Sequence, residues 1–187
     1  MRRVPLLVIA PLLLAALTAA AAEATPDLEA RLRDLWGRGE EALARGSLDQ
    51  AQDILQEALT LDPNRGRTWN YLGHLSFARA AYPEALARFR RAGELDPLDP
   101  RIRNNLGTVS ERLDLIPEAV EHYLAAIELA PDYPVPYRNL GAVYANRIRD
   151  RALAVKYWSA FLRLAPDDPD RDRILAELDA LKGSGPH

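Results

Sequence analysis

The sequence predicts an all-α protein, a solenoid of helix-turn-helix repeats closed by a C-terminal helix. Gly39, Gly73, Gly107 and Gly141 follow one another at intervals of 34 residues. Other columns keep the same step: Ala51, Ala85 and Ala119; Ala58, Ala92 and Ala126; Leu61, Leu95 and Leu129; Pro63, Pro97 and Pro131. Each interval also divides into two stretches with apolar residues at helical spacing. The fourth unit slips by one residue, because its alanine, leucine and proline are Ala154, Leu164 and Pro166. An insertion near Arg147 to Arg151 accounts for the slip.

The elements follow in chain order. Met1-Arg2-Arg3 is a positive start, Val4 to Leu17 an apolar run, and Ala20-Ala21-Ala22 a small-residue cleavage site, so residues 1–22 are expected to be a secretory signal peptide. The alternative is an uncleaved anchor, since Val4 to Ala22 is just long enough to span a bilayer. Pro5, Pro11 and the alanine-rich end favour cleavage. Residues 23–31 begin the first helix, and four repeats fill 32–65, 66–99, 100–133 and 134–168. In the second repeat the helices read as Arg67 to Arg79 and Tyr82 to Leu95, with glycine on the first helix facing alanine on the second so that the backbones approach closely. Leu55, Phe89, Tyr123 and Trp158, four residues after the alanine of each second helix, are core residues by spacing. Prolines close the units, whereas Pro83 and Pro117 fall in first turns, where a missing N–H costs little. Residues 169–182 form a helix in which Ile174, Leu178 and Leu181 cap the last repeat, and 183–187 are a flexible Gly-Ser-Gly-Pro-His tail.

These residues carry a resemblance. Trp69-Asn70-Tyr71-Leu72-Gly73, Asn105-Leu106-Gly107 with Glu118-Ala119-Val120-Glu121-His122-Tyr123, and Tyr137-Arg138-Asn139-Leu140-Gly141 resemble the tetratricopeptide repeat (TPR) family over about Leu32 to Asp168. The resemblance implies a right-handed solenoid whose first helices line a concave face that takes extended peptides or partner helices. The chain departs from the family pattern at Arg103, where an aromatic is usual, and at Ala42, Ser76 and Ser110, where a large residue is usual. Phe161 replaces the small alanine of the last unit, which suggests an altered repeat packed on the helix that follows.

Composition narrows the function. The 187 residues amount to one domain, leaving no second domain to carry chemistry. Cysteine is absent, which removes disulfides, thiolate metal sites, covalent haem and lipoprotein acylation. His74, His122 and His187 share no metal-ligand spacing, and neither a phosphate loop nor a nucleophile elbow is present, so no enzyme activity, metal or cofactor is expected. Without the two leader arginines, 22 basic residues face 27 acidic ones, a net charge of −5 that disfavours nucleic acid.

The expected role is a non-catalytic scaffold in the bacterial cell envelope, periplasmic, secreted or anchored to the inner membrane by residues 1–22. Two alternatives stay open: an accessory subunit of an envelope enzyme or of a secretion, pilus or polysaccharide assembly, and a self-associating array. The candidate groove residues are Trp36, Arg67, Asn70, His74, Arg101, Asn104, Asn105, Arg138 and Asn139. Asn70, Asn105 and Asn139, with Asn104 beside them, make a ladder able to hydrogen-bond a peptide backbone; the alternative for Asn105 and Asn139 is that they satisfy backbone groups between repeats. Arg33, Arg67, Arg101 and Arg138, with Arg112 nearby, favour an acidic segment or a C-terminal carboxylate. Trp36, in the first repeat, is the aromatic anchor expected to be exposed.

Overall fold

The computed structural model describes residues 26–183. The expected signal segment, its anchor alternative and the tail that ends in His187 lie outside the described residues. Within them there is no strand, and no helix is long and apolar enough to cross a membrane. The helices are α1 (26–44), α2 (Leu48–Leu61), α3 (Gly66–Ala78), α4 (Tyr82–Leu95), α5 (Pro100–Arg112), α6 (Ile116–Leu129), α7 (Pro134–Val143), α8 (Arg151–Leu164) and α9 (Arg171–Gly183), with a π-helical turn at Tyr144–Ile148. They fall into two compact units that divide between Pro63 and Asn64.

The first unit is the pair α1 and α2. Leu32, Leu35, Trp36 and Ala42 of α1 and Ala51, Ile54, Leu55 and Ala58 of α2 are buried. Trp36 is 5% exposed, so the expectation of an exposed aromatic anchor is corrected. It lies on the apolar stripe with Leu32 and Leu35, and a large indole gains most by joining that core.

The second unit holds three helix pairs and α9. Contacts are most extensive within the pairs α3/α4, α5/α6 and α7/α8, and next between the second helix of one pair and the first of the next. Ala85, Leu86, Phe89 and Ala92 of α4 thus pack on Ile102, Leu106 and Val109 of α5, and Ala119 and Tyr123 of α6 on Leu140 and Val143 of α7. At the end of the chain, Trp158 and Phe161 of α8 pack on Ile174 and Leu178 of α9. Phe161, the residue that departs from the alanine column, supplies a surface for α9.

The repeat glycines serve a purpose different from the expected one. A Cβ on Gly73 would lie 2.5 Å from the Phe89 ring, and one on Gly107 would lie 2.6 Å from the Tyr123 ring; the Trp158 indole is in the corresponding place against Gly141. Each glycine makes room for the large side chain of its partner helix rather than for the alanine, because a flat ring needs bare backbone to lie on.

Helix ends follow from local chemistry. Asp62, Asp96, Ala130 and Ala165 precede prolines and have φ of −149°, −126°, −146° and −133°, outside the helical region that a following proline disfavours. Within the pairs, Gly46, Ala80 and Asp114 have φ of 72°, 57° and 63°, in the left-handed region. Each closes its first helix by two hydrogen bonds: Ala80 N–H to Phe77 O and Ala81 N–H to Ser76 O, both 2.9 Å, typify the pattern. In the last pair the left-handed residue is Arg149, and the closing bond runs from Asp150 N–H to Tyr144 O at 2.9 Å. That loop is one residue longer than the bond from Leu115 N–H to Ser110 O. The inserted residue is therefore taken up by widening the end of α7 into a π turn, and α8 begins one residue late. Ser76, another departure from the family pattern, is matched by Arg88, whose guanidinium donates to Ser76 Oγ at 2.7 Å and to Leu72 O at 3.0 Å.

Candidate functional site

Within the second unit, α3, α5 and α7 present one continuous set of side chains to two adjoining cavities. The smaller, about 70 Å³, is lined by His74 and Phe77 of α3, Phe89 of α4, and Asn105 and Thr108 of α5. The larger, about 360 Å³, is lined by Thr108, Glu111 and Arg112 of α5, Tyr123 of α6, Asn139 and Ala142 of α7, and Arg147 of the π turn.

The asparagines lie along this line and bond to one another. Asn105 Nδ2 donates to Asn70 Oδ1 at 2.9 Å, and Asn139 Nδ2 donates to Asn104 Oδ1 at 3.0 Å. Asn105 Nδ2 also lies 3.1 Å from His74 Nε2, whose ring meets the Phe89 ring edge-on at 5.2 Å. Asn104 is 5% exposed and is not open to a ligand. The four amides therefore form two ties between successive first helices, through each other's side chains rather than through backbone groups. Such a bond contributes about 1 kcal/mol, and more is lost when one partner is left unpaired in a half-buried site. Asn105→Ala is expected to destabilise the protein by about 1–2 kcal/mol. In a double-mutant cycle with Asn70→Ala, measured by urea denaturation, the two losses should fall short of additive.

The arginines are engaged as well. Arg101 pairs with Asp99 through Nε at 3.0 Å and Nη2 at 2.7 Å, while the Asp99 carboxylate caps α5 by accepting from Arg101 N–H at 2.9 Å. Burial alone would push the Asp99 carboxyl up, but the side-chain and backbone bonds from Arg101, with its charge, hold it below the usual carboxylate range. Arg138 donates to Asp170 at 2.8 Å, with Asp168 at 3.9 Å, and lies over the Phe161 ring at 5.8 Å. Arg67 donates to Tyr71 Oη at 3.4 Å, and Arg33, in the first unit, to Glu29 O at 3.2 Å. The counter-charges expected from a ligand are thus supplied by the chain itself at Arg101 and Arg138.

Two features of the larger cavity were not legible as site residues. Tyr123 is a core residue by spacing, and its ring is buried, but its hydroxyl reaches the cavity, 3.2 Å from Glu111 Oε2 and 3.3 Å from Thr108 Oγ1. Burial and the nearby Glu111 carboxylate push the Tyr123 hydroxyl well above the usual tyrosine value, so it remains a donor. Arg147 forms an ion pair with Asp114, joining the π turn to the α5–α6 turn. The signal for Tyr123 was its polar tip in a column that also holds Leu55, Phe89 and Trp158. The Trp158 indole behaves alike, donating to Arg138 O at 3.2 Å.

A family model described as tetratricopeptide repeat matches residues 42–108, and a second, described as TPR repeat, matches residues 116–146; together they take in just over half of the chain. The chain belongs to the tetratricopeptide repeat family. No curated protein matches this TPR protein. Among solved structures it is similar to Pseudomonas aeruginosa pilF, with a TM-score of 0.75 and 23% identity over 86% of this chain and 79% of that one. It is also similar to a chain of the APC/C hetero-tetramer Cut9-Hcn1, with a TM-score of 0.71 and 18% identity. That match covers 79% of this TPR chain but spans only 29% of the other. The first TPR of Spaghetti, bound to the HSP90 peptide SRMEEVD, matches with a TM-score of 0.59 and 21% identity over 66% of this chain and 94% of that one. At these identities the likenesses show the fold alone, an all-α helical repeat solenoid. TPR repeats of this kind are protein-interaction scaffolds.

Proposed function

We propose that this TPR protein is a non-catalytic adaptor that holds an extended or helical segment of a partner protein along the line formed by α3, α5 and α7. The observation that carries this reading is that both cavities are built from those first helices and adjoin at Thr108. The TPR structure that holds the peptide SRMEEVD supports capture of a chain segment as the mode of binding. The asparagine pairs fix the spacing of the first helices, so the contacts to the segment fall to the side chains around them: His74, Phe77, Thr108, Glu111, Arg112 and Ala142. The leader-like composition of residues 1–22 supports export to the cell envelope, as periplasmic, secreted or anchored protein. A second reading, an accessory subunit of an envelope assembly, rests on the same leader-like composition.

A photocrosslinking residue placed at Ala142, which lines the larger cavity, is compared in intact cells with one at Glu121, exposed on α6. The expected result is one partner band from Ala142, recovered with the envelope fraction, and none from Glu121. The same band from Glu121 alone would move the contact to the second helices. A band confined to the cytosolic fraction would remove the exported location.

A further inference from the structure

We propose that the larger cavity is a socket for a cationic side chain, lysine or arginine, on the captured segment. This rests on the groove reading above and specifies its ligand chemistry.

The cavity leaves two polar groups with unused hydrogen-bonding capacity. Glu111 receives one hydrogen bond, from the Tyr123 hydroxyl to Oε2, and no Lys or Arg among the described residues pairs with it. Its second oxygen has no hydrogen-bond partner among them. Asn139, which lines the same cavity, commits its amino group to Asn104, and its carbonyl oxygen accepts no hydrogen bond among the described residues. Both unused positions accept hydrogen bonds, and one carries a full negative charge.

Two cations share the rim, and each has a partner other than Glu111. Arg147 is committed to Asp114, and the Arg112 guanidinium lies over the Phe77 ring at 5.7 Å, toward the smaller cavity. The Tyr123 hydroxyl stays protonated beside Glu111 and orients the carboxylate without offsetting its charge. An acidic side chain entering here would meet a carboxylate and an amide oxygen. A lysine or arginine would meet two acceptors, with the Ala142 methyl to lie beside its methylene stem. The volume, about 360 Å³, admits one long side chain. The charge preference is therefore opposite to the acidic ligand that the arginine column suggests, two of whose members, Arg101 and Arg138, already pair with Asp99 and Asp170.

The test is a selection of random dodecapeptides displayed on phage against the purified protein, in parallel with Glu111→Gln and Glu111→Lys. Glutamine keeps the bond to Tyr123 and removes only the charge, and far-ultraviolet dichroism checks that helicity is unchanged. Peptides selected by the wild type should share a Lys or Arg and bind about tenfold tighter than their methionine-for-lysine analogues, an advantage that salt weakens. Glu111→Gln should bind both peptides alike, and Glu111→Lys should prefer the glutamate-for-lysine analogue. A preference for Lys or Arg that survives unchanged in Glu111→Gln overturns the socket and leaves the groove standing. Acidic peptides selected by the wild type do the same and point to Arg112 and Arg147. Failure of the wild type to enrich any peptide overturns the groove reading together with this one.

Discussion

Trp158→Ala is expected to cost about 3–5 kcal/mol, the range for deleting a fully buried large aromatic. The side chain is 1% exposed, lies against Gly141, packs with Phe161, Ile174 and Leu178, and donates to Arg138 O. Gly141 has no side chain to move into the space. The whole stability of a small domain is about 5–15 kcal/mol, so this loss is a large part of it. In a repeat array the damage begins locally. Urea denaturation followed by circular dichroism should show a much lower midpoint, and limited proteolysis should cut first between α8 and α9. A midpoint close to that of the wild type would mean that α9 does not depend on the indole. Leu129→Ala serves as the control, since Leu129 is 37% exposed and its loss should be small.

The second large effect comes from one substitution made at two helical glycines. Alanine for glycine inside a helix ordinarily stabilises by about 0.5–1 kcal/mol. At Gly93, on α4, the new methyl would meet Ile102 at 3.6 Å and Leu106 at 3.9 Å, ordinary contact distances, so Gly93→Ala should raise stability by about that amount. At Gly107 the methyl would lie 2.6 Å from the Tyr123 ring. That ring is fully buried, and its hydroxyl is tied to Thr108 and Glu111, so it cannot swing aside. Overpacking of this kind costs about 1–3 kcal/mol and outweighs the helical gain. Gly107→Ala should therefore lower the melting temperature while Gly93→Ala raises it. Shifts of the same sign would show that helix propensity, and not the ring, decides both sites.

The interval that joins Gly73, Gly107 and Gly141 marks the positions where a first helix must be bare, and Gly93, outside the column, carries no such demand. The prolines are equally legible, since each disfavours helical backbone at the residue before it whatever the rest of the fold does. The slip in the fourth unit announced an insertion, but only the backbone shows that α7 absorbs it by opening into the π turn, with Arg149 left-handed.

The polar residues were harder to place, for a geometric reason. Asn70 bonds Asn105, and Asn104 bonds Asn139, each across 35 residues, one more than the repeat. The partners of each pair stand in different columns, so reading column by column arrays the asparagines as a ladder and conceals that they join in pairs. Arg147 with Asp114, 33 residues apart, and Arg138 with Asp170, 32 apart, escape the column reading in the same way. Trp36 escaped it because a groove position and a core position can differ by a small rotation of one helix, and burial then goes to the larger apolar group.

By itself the sequence determined the period, the helix pairs, the small residues that admit the rings, the prolines that end the units, and the family. These follow from local backbone chemistry and from spacing along one chain. The tertiary structure alone decided which charges and amides meet, because that depends on how neighbouring helices are offset and rotated. It thereby left Glu111, among the groove's candidate side chains, as the carboxylate without a cation.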